Sequence, residues 1–409
     1  MWQADFLADN NAETSDVSVS RSALSVLFSL VFLDNIGYAI VTPYLYFYVR
    51  DLGGSPFVFG ALLASYSLIS FIFTPIVSRL SDRYGRRRVL LVALAVSSFS
   101  YFVFGVAQIL WLLFAARMLA GTTAATVPVA QAYVADVTDQ KNRLKYLGLL
   151  GAAAGIAFVI GPALGGTLSG FFGYGVPSFL ASSLAFANLI STYFRLPEPP
   201  RASIGKAKAE SAIAEFKSLV SKSEIALLFA IYFLVFLSFI FLPTVLPVWL
   251  NHNFGYGPIE TGLLFFYVGI LSALTQAVLL PKLSKTVKNS TLVVYGVVLL
   301  SAGLFGLGVY ANLFIFLIVG GLVSVGFGIL NATLTTLISI NAPSQERGGS
   351  LGIAWALAAV AQTIAPTLAT SFFAFGVSFG FVGLAFVVSG GITVVMLPLA
   401  LYFRKSSKN

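Results

Sequence analysis

The sequence predicts an all-α integral membrane protein of twelve transmembrane helices arranged as two pseudo-symmetric six-helix bundles. Three observations predict it. The apolar residues fall in twelve long blocks, each near the roughly 20 residues a helix needs to cross a bilayer. Lys and Arg crowd onto one set of the loops between the blocks. The second half of the chain repeats landmarks of the first at a nearly constant offset.

The first observation rests on composition. Hydrophobic residues make up 58% of the chain, charged residues 10%, and the mean hydropathy is +0.92. Soluble domains carry about 25% charged residues. In lipid every backbone polar group must be satisfied within its own segment, so the blocks read as helices. They lie near 22–49, 57–80, 89–107, 109–136, 145–172, 174–196, 223–250, 258–281, 290–311, 313–341, 349–373 and 378–403. Residues 1–21 are polar and acidic, with Asp5, Asp9, Glu13 and Asp16, and lack the pattern of a signal peptide. They read as a mobile tail whose Trp2, Phe6 and Leu7 touch the membrane.

The second observation orients the chain. All 24 Lys and Arg except Arg50 and Arg117, that is 24 − 2 = 22, lie at the start of the first span, in the loops after even-numbered spans, or at the C-terminus. This is the positive-inside pattern, and it places both termini in the cytoplasm of a cell whose membrane the protein spans. The same distribution accounts for the net charge of +9 without a nucleic-acid partner.

The third observation is internal repetition. Arg143/Arg347, Leu147/Leu351, Gly148/Gly352 and Pro162/Pro366 share an offset of 204, LSDRYGR at 80–86 meets LSKTVKN at 283–289, and Gly60 pairs with Gly262. The expected organisation is therefore a bundle over 22–196, a cytoplasmic linker over 197–222 with an amphipathic helix at 206–220, a second bundle over 223–404, and a tail over 405–409. Two bundles joined this way suit a protein whose halves rock around a midplane site. The fold needs no partner, so a monomer in lipid is expected.

The chain has no Cys and one His, His252 on an outer loop, so disulfides, thiol catalysis and a metal centre are not expected, nor is a cofactor. A membrane-embedded enzyme would need a nucleophile–base set or a metal cluster within the spans, and this composition argues against one.

Four motifs carry the functional reading. The first is SRLSDRYGRRRVLL at 78–91. Its arginines anchor at headgroups, Gly85 permits a tight turn, and Asp82 can accept from helix amides or arginine. A plain anchor would explain the arginines but not the Asp and Gly spacing. This segment resembles the signature loop of the major facilitator superfamily, G-x-L-[AS]-D-[RK]-x-G-[RK]-[RK], with Ser78 at the first Gly. The resemblance implies a loop (Asp82, Arg83, Gly85, Arg86, Arg87) that locks the halves together, with Asp82 approaching the start of the eleventh helix near residues 348–350. Lys285 replaces the acid in the second-half remnant.

The second motif, LFAARMLAGTTAA at 113–125, holds Arg117 in mid-span. An arginine there must face the bundle interior, as a structural or a functional group. It is similar to the family's R-x-x-q-G element, linked to proton transfer, with Ala120 at the Gln. The third, GIAFVIGPALGGTLSG at 155–170, spaces small residues for close packing and bends at Pro162. Besides a plain packing strip, it resembles the superfamily's antiporter motif through Gly161, Pro162, Gly165 and Gly166. The fourth, LDNIGYAIVTP at 33–43, puts an acid inside the first span. It resembles the first-helix motif of the twelve-helix drug:proton antiporters of the tetracycline and multidrug efflux type. By rise per residue, Asp34 and Arg117 lie at about the same depth and can pair.

These readings point to a secondary transporter that exports amphiphilic or drug-like molecules in exchange for protons, with Asp34 and Arg117 as the coupling pair and Glu260 as the next acid. Asn35, Tyr38, Tyr267, Asn331, Trp355 and Gln362 are the candidate substrate contacts, being polar or aromatic within spans. The alternative is a facilitator or proton symporter for a small metabolite such as a sugar or an organic acid. A channel or a non-transporting receptor on the same fold is a further one.

Overall fold

The structure, a computed structural model, describes residues 21–199, 219, 223–310, 312–342 and 347–406. The tail over 1–20, the linker helix expected at 206–220 and the last residues of the C-terminal tail lie outside them. The described residues form twelve helices long and apolar enough to cross a membrane. In chain order they are α1 (Arg21–Val41), α2 (Pro56–Tyr84), α3 (Arg86–Gly105), α4 (Leu110–Val137), α5 (Gln140–Phe172), α6 (Gly175–Arg195), α7 (Glu224–Phe254), α8 (Pro258–Leu283), α9 (Asn289–Val309), α10 (Leu313–Asn341), α11 (Arg347–Ser378) and α12 (Leu384–Ser406). Large apolar side chains such as Phe102, Phe171, Phe194 and Phe314 are exposed on the outside, where acyl chains would cover them.

Several spans differ from the expected blocks, each for a backbone reason. The first block breaks after Val41, because Pro43 has no N–H to continue the ladder, and resumes as a short helix, Leu45–Asp51. The fourth breaks at a turn over 123–125, and the seventh at Ile240. The eighth contains a π-turn, Thr275–Leu279, just before Pro281. The twelfth starts at Leu384 rather than near 378, because Gly380 adopts φ +74° and ends the run of aromatic residues.

The helix pairings confirm the duplication. Within the first bundle α1 packs on α5 and α6, α2 on α4, and α3 on α4 and α6; within the second, α7 packs on α11 and α12, α8 on α10, and α9 on α10 and α12. Each pairing recurs six helices later. Between bundles, α5 packs on α8 and α2 on α11, which are again mates. The repeated landmarks meet at these seams. A Cβ on Gly262 would lie 2.5 Å from the Pro162 carbonyl oxygen, and one on Gly60 would lie 2.7 Å from that of Pro366. A proline leaves its helix bent, and the opposing glycine admits the backbone at that bend.

The seams close at one end only. At the Arg50 end, Gly166 meets Pro258 and Gly262, Gly170 meets Ile259, and Gly60 meets Thr370. Gly148, Gly155 and Val159 lie on the same face of α5 as Gly166. Val159 still contacts Gly269 of α8, but a Cβ on Gly155 or Gly148 would meet nothing within 4 Å, and neither would one on Gly352 of α11. On the matching face of α8, Ala273 and Gln276 are exposed. The bundles therefore part toward the basic end, the end that carries the 82–88 loop, and leave a cleft.

A hydrogen bond bridges the bundles at the closed end. Arg50 Nη1 donates to Asn251 Oδ1 at 3.0 Å while Arg50 Nη2 pairs with Asp51 at 2.8 Å. Tyr174 Oη donates to Asp51 at 2.6 Å, and burial together with that bond pushes the Tyr174 phenol above the ordinary tyrosine range. Arg50→Ala should open this end in more molecules, by about two- to tenfold for one partly exposed, charge-assisted bond. Spin labels on cysteines placed at Ser55 and His252 would read the distance in a chain without native cysteines. An unchanged distribution would show that the bond does not hold the end shut.

Candidate functional site

The site is built around Arg117, which α4 buries at 3% exposure. Its guanidinium carbon lies 5.2 Å from the Tyr66 ring centroid, 5.7 Å from that of Tyr38 and 6.0 Å from that of Phe104. Ring faces stabilise a cation there, Arg more often than Lys. Tyr38 and Tyr66 pack at 5.1 Å, and Phe158 of α5 meets Tyr38 edge-on at 6.0 Å. Arg117 Nε is buried without a hydrogen-bond partner.

The glycine spacing of two motifs follows from this cluster. A Cβ on Gly121, one turn beyond Arg117, would lie 2.8 Å from the Tyr66 carbonyl oxygen, so Gly121 lets α2 come close enough to lay Tyr66 over the guanidinium. A Cβ on Gly37 would lie 3.0–3.1 Å from the Tyr101 ring, so Gly37 admits Tyr101 against α1, one turn from Asp34.

Asp34 is half-buried, and no hydrogen bond or ion pair holds it among the described residues. The ion pair expected between Asp34 and Arg117 is not formed here. The rings of Tyr38, Tyr66 and Phe104 surround the guanidinium instead, and Asp34 sits one turn nearer the basic end than Tyr38. Tyr101 and Phe104 were invisible as site residues in the sequence, because aromatic residues fill every span. Only the packing against Gly37 and Arg117 distinguishes them.

At the basic end Arg86 is the hub of the 82–88 loop. Its Nη1 pairs with Asp82 at 2.5 Å and donates to Ser81 Oγ at 2.7 Å, and its Nε pairs with Asp136 of α4 at 2.9 Å. Gly85 adopts φ +106°, a conformation that L side chains rarely take, and a Cβ there would lie 2.5 Å from Glu198 Oε1. Glu198 accepts the Arg87 amide at 3.2 Å, while Arg87 Nη2 donates to the Tyr193 carbonyl at 2.6 Å and its guanidinium stacks on the Tyr193 ring. Arg83 stacks on Tyr84. Asp82 is half-exposed and bonded within its own loop rather than to α11; residues 343–346 just before α11 lie outside the described residues. Asp136 and Glu198 were not found from sequence, since both stand outside the motif strings.

The glycines at 161–166 divide between two neighbours. A Cβ on Gly161 would lie 2.5 Å from Ala39 Cβ, and one on Gly165 would lie 1.8 Å from the Ile40 carbonyl oxygen, both in α1. A Cβ on Gly166 would lie 2.3 Å from the Pro258 carbonyl oxygen of the other bundle.

The candidate substrate contacts do not converge on one cavity. Tyr38 belongs to the Arg117 cluster. Asn35 donates to the Val31 carbonyl of its own helix at 2.7 Å, and Tyr267 Oη donates to the Leu317 carbonyl of α10 at 2.5 Å. Asn331 and Gln362 are half-buried. Trp355, 63% exposed, lines a separate cavity near the basic end. No group of three metal-ligating side chains occurs among the described residues.

Two bundles related six helices apart, seamed at one end and parted at the other, with an arginine buried among aromatic rings in the first, define a membrane transporter. The chain matches the Major Facilitator Superfamily over residues 27–366 and belongs to that family. It is 30% identical over 385 residues to the class C tetracycline resistance protein of Escherichia coli, covering 93% of this chain and 96% of that one. It is 27% identical to multidrug resistance protein 1 of Bacillus subtilis, covering 94% and 98%. Among solved structures, the nucleoside transporter NupG superposes with a TM-score of 0.75 at 14% identity, covering 95% of this chain and 99% of that one.

Proposed function

We propose that the protein exports amphiphilic or drug-like molecules in exchange for protons by alternating access. The observation that carries this reading is Asp34: an acid inside a span, without a hydrogen-bond or ion-pair partner among the described residues, one turn from Tyr38 of the Arg117–tyrosine cluster. A lipophilic substrate needs a large, mostly apolar cavity with few polar groups, and spans in a chain 58% hydrophobic can supply one. Proton and substrate compete when substrate entry is disfavoured by a neutral Asp34 and proton entry by a bound substrate, and that competition is the coupling. The names of the efflux relatives above favour the same class. With the basic end in the cytoplasm, as the charge pattern implies, the present conformation faces inward.

Inside-out vesicles loaded across a substrate panel, with and without a pH gradient, test the reading. Accumulation of amphiphiles that collapses with the gradient is the expected result. Gradient-independent exchange of a sugar or an organic acid would replace it with the facilitator alternative.

The 82–88 loop is read as the lock that closes the basic end in the other state. Asp82→Asn should raise the fraction of molecules open at that end and lower transport, while insertion is unchanged. It weakens the hold on Arg86 but leaves Asp136 in place, so a partial loss is expected. Unchanged label distances with normal transport would reduce the loop to an anchor.

A further inference from the structure

We propose that the cleft carries a second, shallow binding site at its basic mouth, formed by α10 and α11, for a planar, uncharged aromatic molecule that bears an N–H or O–H donor. The site is an open cavity of about 380 Å³ lined by Thr335, Thr336, Ser339, Ile340, Leu351 and Trp355. Three features define its ligand. Trp355 is 63% exposed, and on the helical repeat it lies within about 20° of Pro366, the residue that faces Gly60 of α2. Its indole is thus turned to the opposite bundle across the cleft, where it offers a stacking face rather than a lipid anchor. The hydroxyls of Thr335 and Thr336 already donate to the carbonyls of Asn331 and Ala332 in their own helix, so what they present to the cavity is acceptor lone pairs. No lining residue is charged, so nothing compensates the desolvation of a full charge.

The site lies apart from the Arg117 cluster and shares no residue with it. Ser339, Thr335 and Asn331 recur every fourth residue on α10, one face leading from the mouth into the span. The α11 face of Trp355 continues through Ala359 toward Gln362. A molecule captured at the mouth therefore has a polar track on α10 to follow inward. This inference rests on the exporter reading only for why capture would serve transport.

The test is equilibrium binding to the full chain in lipid nanodiscs, read by the fluorescence anisotropy of acridone with empty nanodiscs subtracted. Acridone is flat, neutral and carries one N–H; N-methylacridone lacks it. Saturable acridone binding is expected, weakened about tenfold by Trp355→Ala and by less than about threefold by Trp355→Phe, which keeps a ring. The double variant Thr335→Val, Thr336→Val should weaken acridone to the level of N-methylacridone and leave N-methylacridone unchanged. Absence of saturable acridone binding, or wild-type binding in the Trp355→Ala variant, would overturn the site. Equal weakening of both probes by the valine pair would overturn the stated ligand class. Lost binding with pH-driven export preserved fails the site alone, and the reverse fails the coupling reading alone.

Discussion

Asp34→Asn is expected to reduce uphill, pH-driven export in vesicles to the level of vesicles without the protein, while downhill exchange or substrate binding persists. The substitution keeps the shape and removes the titrating proton. A carboxylate within a span costs roughly 2.5–3.5 kcal/mol on insertion scales, so it is kept for a purpose or neutralised by a proton. Asp34 has no ion-pair partner among the described residues to hold it charged. Arg117 is held over the ring of Tyr38, which follows Asp34 by one turn of α1. Arg117→Ala should therefore also impair coupling, and the double variant should lose less than the two losses summed, because the residues act as a unit. Arg117→Lys should not rescue it fully, since an ammonium lacks the plane that the rings hold. Asp34→Asn vesicles that concentrate substrate at wild-type rates under a pH gradient would show that the proton is carried elsewhere. Glu260 is not a free substitute in this structure, because its carboxylate caps α8 by accepting the Gly257 amide at 2.9 Å.

Neighbouring glycines should give opposite phenotypes. Gly165→Ala places a methyl group 1.8 Å from a carbonyl oxygen of α1 in the same bundle. Nothing in that contact is a flexible side chain, so the helices must separate, at a cost at or above the roughly 1–3 kcal/mol typical of overpacking. Lower yield and a lower unfolding temperature are expected. Gly166→Ala meets the other bundle instead, 2.3 Å from the Pro258 carbonyl oxygen. That contact exists only while the Arg50 end is shut, so the same strain should shift the population toward the state open at that end, by about five- to a hundredfold. The variant protein should remain folded. Distances between labels across the Arg50 end read the shift. Equal stability loss in both variants, with no change in those distances, would overturn the division.

The motif strings of the sequence located the loop and the glycines but not their partners. Gly85 was legible as a turn. That its bare Cα admits Glu198 was not, because Glu198 lies more than a hundred residues on, in a segment with no pattern of its own. Asp34 and Arg117 were legible as costly intramembrane charges at similar depth. Depth follows from residue count at a fixed rise, but which side chains meet follows from how each helix is rotated toward its neighbours. Gly121 and Gly37 set that rotation, and the result is a guanidinium among rings rather than an ion pair.

The sequence by itself determined the twelve spans, the asymmetry of the basic loops and the duplication of the bundle, because hydropathy, charge and repetition are properties of residues in order. It also singled out Pro162 with Pro366 and Gly60 with Gly262 as repeats, though not that each proline meets a glycine of the opposite bundle. Only the tertiary structure decided that these repeats face one another across the seams, that the seams close at the Arg50 end and part at the other, and that Trp355 belongs to the mouth rather than to the central cluster. The physical reason is that two rigid bundles of similar surface can pack at either end of their seam. Local pattern specifies each surface, and the choice between the two packings is a small difference in contact energy summed over residues far apart in the chain.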